Sequence, residues 1–152
     1  MKLWRLVRPG HEALDGAGAA QHGGRYTPPG VAVVPMASEA GLAVLVALRY
    51  HDPAGTDDYR LGWTEVAAEP SRIADPDEST IREGVAAWLA ERRCLLAAVR
   101  SRVLPEADVV LLSPAHPDAA HVPPLVTRPF RFADCLHRPP MLDRFRAAEA
   151  SR

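Results

Sequence analysis

The chain has 152 residues, which suits one domain with one hydrophobic core. Hydrophobic residues make up 47% and charged residues 24%, and 18 basic against 19 acidic side chains leave a net charge of −1. That balance belongs to an ordinary globular protein and argues against a dedicated nucleic-acid binder. Cys94 and Cys135 make neither a disulfide framework nor a metal site, and the six histidines lack zinc-site spacing. No run of about 18 apolar residues offers a membrane span, and the N-terminus offers no signal peptide. The expectation is a cytoplasmic protein without a metal and away from membranes.

Taken in chain order, residues 3–7 (LWRLV) predict an opening strand ended by Pro9-Gly10. Residues 15–30 hold five of the ten glycines and read as a loop whose backbone can reach positive φ or approach another group closely. Val31–Val34 reads as a strand stopped by Pro35. Ser38 is placed to cap a helix from Glu39 to about Tyr50 with Leu42, Leu45, Val46 and Leu48 as its apolar body. A turn-rich connector, 51–58, leads to a strand over Tyr59–Val66, and 69–77 reads as loop. Thr80 and Glu83 have capping-box spacing and open a second helix through Trp88 and Leu89. Leu95–Val99 and Val109–Leu112 are short apolar strands. The prolines at 114, 117, 123 and 124 mark loop, Phe130–Phe132 one more strand, and Met141–Ala150 a closing helix. Strands outnumber helices and do not alternate with them, so the fold class is α+β rather than a doubly wound parallel sheet.

Several positions stand out chemically. The glycine-rich loop fits neither GxGxxG nor GxxxxGK[ST], but it sets Arg25 directly after Gly23-Gly24 with Tyr26 beside it. A guanidinium suits bidentate capture of a phosphate, and a neighbouring ring can stack on a base; a surface arginine in a flexible loop would look the same. Arg5 lies inside an apolar strand, where a charge must be paired, face a cleft or sit on an edge. Ser101 lies between Arg100 and Arg102 without a GxSxG frame, so alone it reads as a turn serine. His116, in Ser113-Pro114-Ala115-His116-Pro117-Asp118, reads as a loop-ordering hydrogen-bond partner.

In order, these segments resemble the RES domain, the toxin half of Xre–RES toxin–antitoxin modules. The resemblance runs from Trp4-Arg5 through Leu14–Ala19, Gly23-Gly24-Arg25-Tyr26-Thr27-Pro28-Pro29-Gly30, Leu42-Ala43-Val44-Leu45, Ser101–Glu106, Leu112–Asp118 and Pro129–Phe132, covering roughly residues 3–137. It implies a single domain over 1–152 with an ADP-ribosyltransferase-like split β-sheet flanked by helices. The implied substrate is NAD, cleaved at the nicotinamide–ribose bond, with no metal. On that template Arg5 and Arg25 hold the pyrophosphate or ribose, Gly24 lets the backbone approach, Tyr26 lies against the nicotinamide, and Ser101 hydrogen-bonds it. The implied partner is an Xre-type helix-turn-helix antitoxin on another chain. No residue pattern argues for a homodimer, which stays open.

The family's glutamate should follow Leu45, and this chain has Val46, with no gap needed in the count from Gly24-Arg25. A carboxylate there would oppose the positive charge growing on the ribose, and losing such a group commonly costs about 10²-fold or more in rate. The family's serine before this helix is replaced by Glu39, one residue after Ser38; Glu39 lies on the same helix face as Val46, roughly 10 Å away along the axis. Pro35 and Thr27 also depart from the family's usual aromatic and Asn. Two readings follow: an active NAD-consuming toxin using another carboxylate, with Glu39, Asp15 and Glu65 as the candidates, or a degenerate RES domain that binds a nucleotide or protein partner without turnover.

Overall fold

The computed structural model describes residues 1–74, 77–136 and 140–151. Seven strands, β1 (Lys2–Val7), β2 (Val34–Ala37), β3 (Tyr59–Glu65), β4 (Ser71–Arg72), β5 (Leu96–Arg100), β6 (Asp108–Leu112) and β7 (Val126–Phe130), form one sheet in the order β4-β5-β6-β2-β1-β3-β7. Every neighbouring pair is antiparallel except β4 with β5. The helices are α1 (Ala17–His22), α2 (Ala40–Leu48), α3 (Glu78–Glu91) and α4 (Pro140–Ala150), so the α+β expectation holds. Among the described residues, no helix is long and apolar enough to cross a membrane.

The pleat sorts the apolar residues into two layers. On one face Val99, Val109 and Leu111 meet Leu42 of α2 and Ile81, Val85 and Trp88 of α3. On the other, Leu3, Val34, Met36, Leu96, Val110 and Leu112 pack under loop residues such as Leu14, Val122 and Leu125. The continuous apolar runs of β5 and β6 are thereby explained: a strand covered on both sides cannot alternate with polar residues. Each fully buried Leu or Val contributes about 1.5–3 kcal/mol.

Several boundaries differ from the sequence expectation. The second strand is Val34–Ala37, not 31–34, so Pro35 lies inside it. Ser38 does not cap α2; its Oγ accepts the Asp108 N–H at 3.0 Å, and Glu39 is the N-cap. The next helix begins two residues before Thr80, because Asp77 accepts from the N–H groups of Ser79 and Thr80 at 2.9 and 3.0 Å. The predicted loop at 69–77 contains β4, and its residues 75 and 76 lie outside the described set. The glycine-rich loop contains α1. The last strand runs 126–130, and Phe132 belongs instead to a 3-10 turn whose N–H groups bond the Asp57 carboxylate.

Pro35 accounts for the split in the sheet. β1 and β2 pair only at Trp4 and Ala37. That register would bring Leu6 opposite Pro35, which has no N–H to give. On its other side β2 pairs in unbroken register from Val34–Leu112 to Ala37–Val109. A proline expected to stop the strand instead stops its pairing on one side, and the two halves of the sheet diverge there.

Candidate functional site

A cavity of about 330 Å³ opens where β1 and β2 part. Its floor is Trp4 to Arg8 of the β1 segment with Pro35, Met36 and Ala37 of β2. Its roof is one face of α2, with Ala43, Val46 and Ala47 at i, i+3 and i+4, continued by Tyr50 just past the helix end. Tyr26, Tyr59 and Val109 complete the wall. Two alanines in that helical stripe keep the roof thin and leave room beneath it.

A second, polar hollow of about 530 Å³ is lined by Gly24, Arg25, Arg49, Tyr50, Ser79 and Arg82. Tyr50 belongs to both walls, which sets an apolar, tyrosine-rich compartment beside one carrying three arginines. No Asp or Glu is among the described residues lining either compartment.

Local folding of the glycine segment positions Arg25. Gly23 ends α1 at φ +65°, and a Cβ there would lie 2.8 Å from the Pro29 nitrogen. Only glycine suits both the dihedral and the contact. The Gly24 N–H then donates to the Thr27 carbonyl at 2.9 Å, and the Gly30 N–H to Ala20 at 2.7 Å. Arg82 of α3 donates to the carbonyls of Gly24 and Arg25, tying the loop to that helix. The Arg25 guanidinium carbon stands 5.4 Å from the Tyr26 ring centre.

Arg5 lies on an interior strand, so the edge alternative is excluded. It lines the cavity, and its Nη1 donates to the Ala13 carbonyl at 3.1 Å. Burial lowers its pKa from the ordinary arginine value, and the charge of Asp15 opposes that shift. Of the candidate carboxylates, Asp15 is thus the one coupled to Arg5, although its Oδ1 already accepts the Ala17 N–H. Glu39 is exposed at the start of α2 and outside the cavity wall. Glu65 ends β3 beside Lys2, at the strand end away from Arg8.

Gly24, Arg25, Tyr26 and Arg5 are therefore gathered around the two compartments, and Val46 faces the apolar one. Ser101 is not among their lining residues. It is 2% exposed after β5, where its Oγ accepts the Leu104 N–H at 3.2 Å and its N–H donates to Ala107. His116 orders its loop as expected: Nδ1 accepts the Asp118 N–H at 3.1 Å at the start of a 3-10 turn. Sequence reasoning missed Arg8, Arg49, Tyr50, Tyr59 and Arg82 as wall residues. An arginine-rich chain hides individual arginines, and a tyrosine at an element boundary carries no pattern that says where it points.

The RES domain model matches residues 2–133, and the chain belongs to that family. It is 32% identical to the Prs ADP-ribosylating toxin of Sphingobium sp. (strain YBL2), over 77% of this chain and 84% of the relative. Its fold is similar to a chain in the crystal structure of the M. tuberculosis MbcT–MbcA toxin-antitoxin complex. The TM-score is 0.67 at 19% identity, covering 87% of this chain and 85% of that one.

Proposed function

We propose that this chain is the toxin of a toxin–antitoxin pair, binding NAD and cleaving its nicotinamide–ribose bond. The observation that carries the reading is the pair of compartments meeting at Tyr50. NAD has a flat, poorly hydrated nicotinamide joined through ribose to a pyrophosphate, and the two walls have matching chemistry. Both volumes lie in the range of small-molecule sites, about 300–1,000 Å³. Membership of the RES family and the name of the Sphingobium relative support the same reaction class.

In this reading Arg25, with Arg49 and Arg82 beside it, holds the pyrophosphate, and the Gly24 backbone admits it closely. Arg5, fixed by Ala13 and balanced by Asp15, faces the ribose, and Tyr26 lies against the nicotinamide. Bond cleavage turns the ribose oxocarbenium-like, and fixed dipoles in a sheltered cleft stabilise that change of charge better than water. Ser101 acts from the turn after β5, its hydroxyl still having one proton to donate. The partner is a separate Xre-type antitoxin chain.

Val46 in the cavity roof favours a second reading, a RES domain that binds nucleotide without turnover. One experiment separates the two: nicotinamide release from NAD, with and without phosphate, by the wild type, Arg25→Ala and Val46→Glu, alongside calorimetric NAD binding. The first reading expects wild-type release that Arg25→Ala abolishes, and no release above that variant sinks it. NAD binding without release, converted to turnover by Val46→Glu, establishes the second.

A further inference from the structure

Tyr59 opens β3 on the same face as Leu61, 6% exposed, and lines the cavity. Its hydroxyl lies 2.9 Å from His51 Nδ1 and receives an N–H from Arg8 Nη2 at 3.2 Å, while the Arg8 guanidinium carbon stacks 4.8 Å from its ring centre. Arginine only donates, so one lone pair of the phenol is taken, and in the tautomer whose Nδ1 carries no proton the hydroxyl donates to His51. The His51 ring packs 4.5 Å from that of Phe132, whose turn is held by the Asp57 carboxylate through the N–H groups of Phe132 and Ala133 at 2.7 and 2.8 Å. The charged groups around the imidazole are Asp57 and Arg8, with Arg131 close to Asp57. The ring contacts would survive a phenylalanine at 59, so packing does not account for the two hydroxyl bonds.

We infer that Tyr59 and His51 form a proton-accepting pair at the cavity and that the acceptor of the ADP-ribose group is water; this rests on the NAD-cleavage reading above. The C1′–N1 bond breaks with its electron pair going to N1, which leaves as neutral nicotinamide. A water oxygen bonds to C1′ and loses one proton to the Tyr59 oxygen as the Tyr59 proton passes to His51 Nδ1. The products are ADP-ribose, nicotinamide and an imidazolium beside Asp57, which returns its proton to solvent. Phosphate dianion attacks without losing a proton, whereas water needs a base, and no carboxylate is among the described residues of the cavity wall. Tyr59 touches the substrate in this scheme, and His51 acts through it.

The test uses the full chain with NAD in phosphate-free buffer, products identified by mass, and the variants Tyr59→Phe and His51→Gln. General-base groups contribute about 10²–10⁴-fold, so each variant lowers kcat by about 10²-fold, with KM and calorimetric NAD affinity unchanged. Turnover that requires added phosphate, or unchanged kcat in both variants, overturns the pair and leaves the cleavage reading standing. Loss of NAD binding in both variants shows a structural role and also overturns it. A wild type that binds NAD but releases no nicotinamide under any condition overturns both the pair and the cleavage reading.

Discussion

Single side chains in this protein often do a job that their neighbours define. Asp57 is exposed to solvent at one side yet accepts two backbone N–H groups, and those bonds, the Ala133 one foremost, hold its carboxyl below the ordinary carboxylate range. A group with a lowered native pKa binds protons less readily folded than unfolded. Its stabilisation is therefore complete above the ordinary aspartate value of about 3.9 and disappears as pH falls from there through the lowered native value. Urea midpoints measured at pH 7 and pH 3 are expected to differ more for the wild type than for Asp57→Asn. Equal differences would show that the turn does not depend on the charge. Because this turn also seats Phe132 against His51, the same substitution probes the ring cluster behind Tyr59. Val46 illustrates the opposite case: its position in the family pattern was readable by counting, and the cavity roof is where that position falls.

At the scale of elements, the glycine segment and α2 together make the site. α1 ends at Gly23 because the chain must turn with positive φ while passing against Pro29. Gly23→Ala places a methyl group 2.8 Å from a backbone nitrogen in a left-handed conformation. The conformational part alone costs about 1–2 kcal/mol, and the contact adds to it. The variant is expected to lower the thermal midpoint and to weaken NAD binding, since Arg25 is two residues away; Gly24→Ala, where a Cβ meets nothing, gives the comparison. Equal midpoints and affinities for the two would show that the loop is held elsewhere. The existence of this loop and of the helix after it was legible, but the inward face of α2 was not: Leu45 and Leu48 of the expected apolar body are exposed, and Ala43 and Ala47 join Val46 on the cavity side. Nor was the start of α2 legible, because Ser38 was drawn to Asp108 across the sheet rather than to its own helix. For α3 the aspartate at 77 outcompeted Thr80 as a cap, a choice between two good capping residues that local spacing leaves undecided.

For the whole molecule, the decisive feature is that two sheet halves share one backbone pairing at Trp4–Ala37 and open beyond it. One core layer lies on each face, so the split costs little burial while exposing strand backbone to a ligand. The apolar and the arginine-lined compartments sit side by side, so a ligand that spans them gains from both. Calorimetry is expected to show NAD binding more tightly than either nicotinamide mononucleotide or ADP. Saturation with NAD at 100 times its Kd should stabilise the fold by about 2.7 kcal/mol. Equal affinity for NAD and ADP would mean that the tyrosine-lined cavity is not part of the ligand site.

The amino-acid sequence by itself determined the α+β class, the core strands 96–100 and 109–112 to within a residue or two, the family pattern, and Arg5, Arg25, Tyr26 and Val46 as positions of interest. Each of these is written in local chemistry: a run of apolar residues, a glycine turn, a count along a helix. Tertiary structure alone decided that Pro35 sits inside a strand, and that Tyr50 bridges two compartments. It also decided that His51 and Tyr59 meet, and that Ser101 orders a turn outside the cavity wall. Those facts depend on which strand lies opposite which. A proline without an N–H is harmless or disruptive only according to the neighbour it fails to bond, and that neighbour is some thirty residues away along the chain.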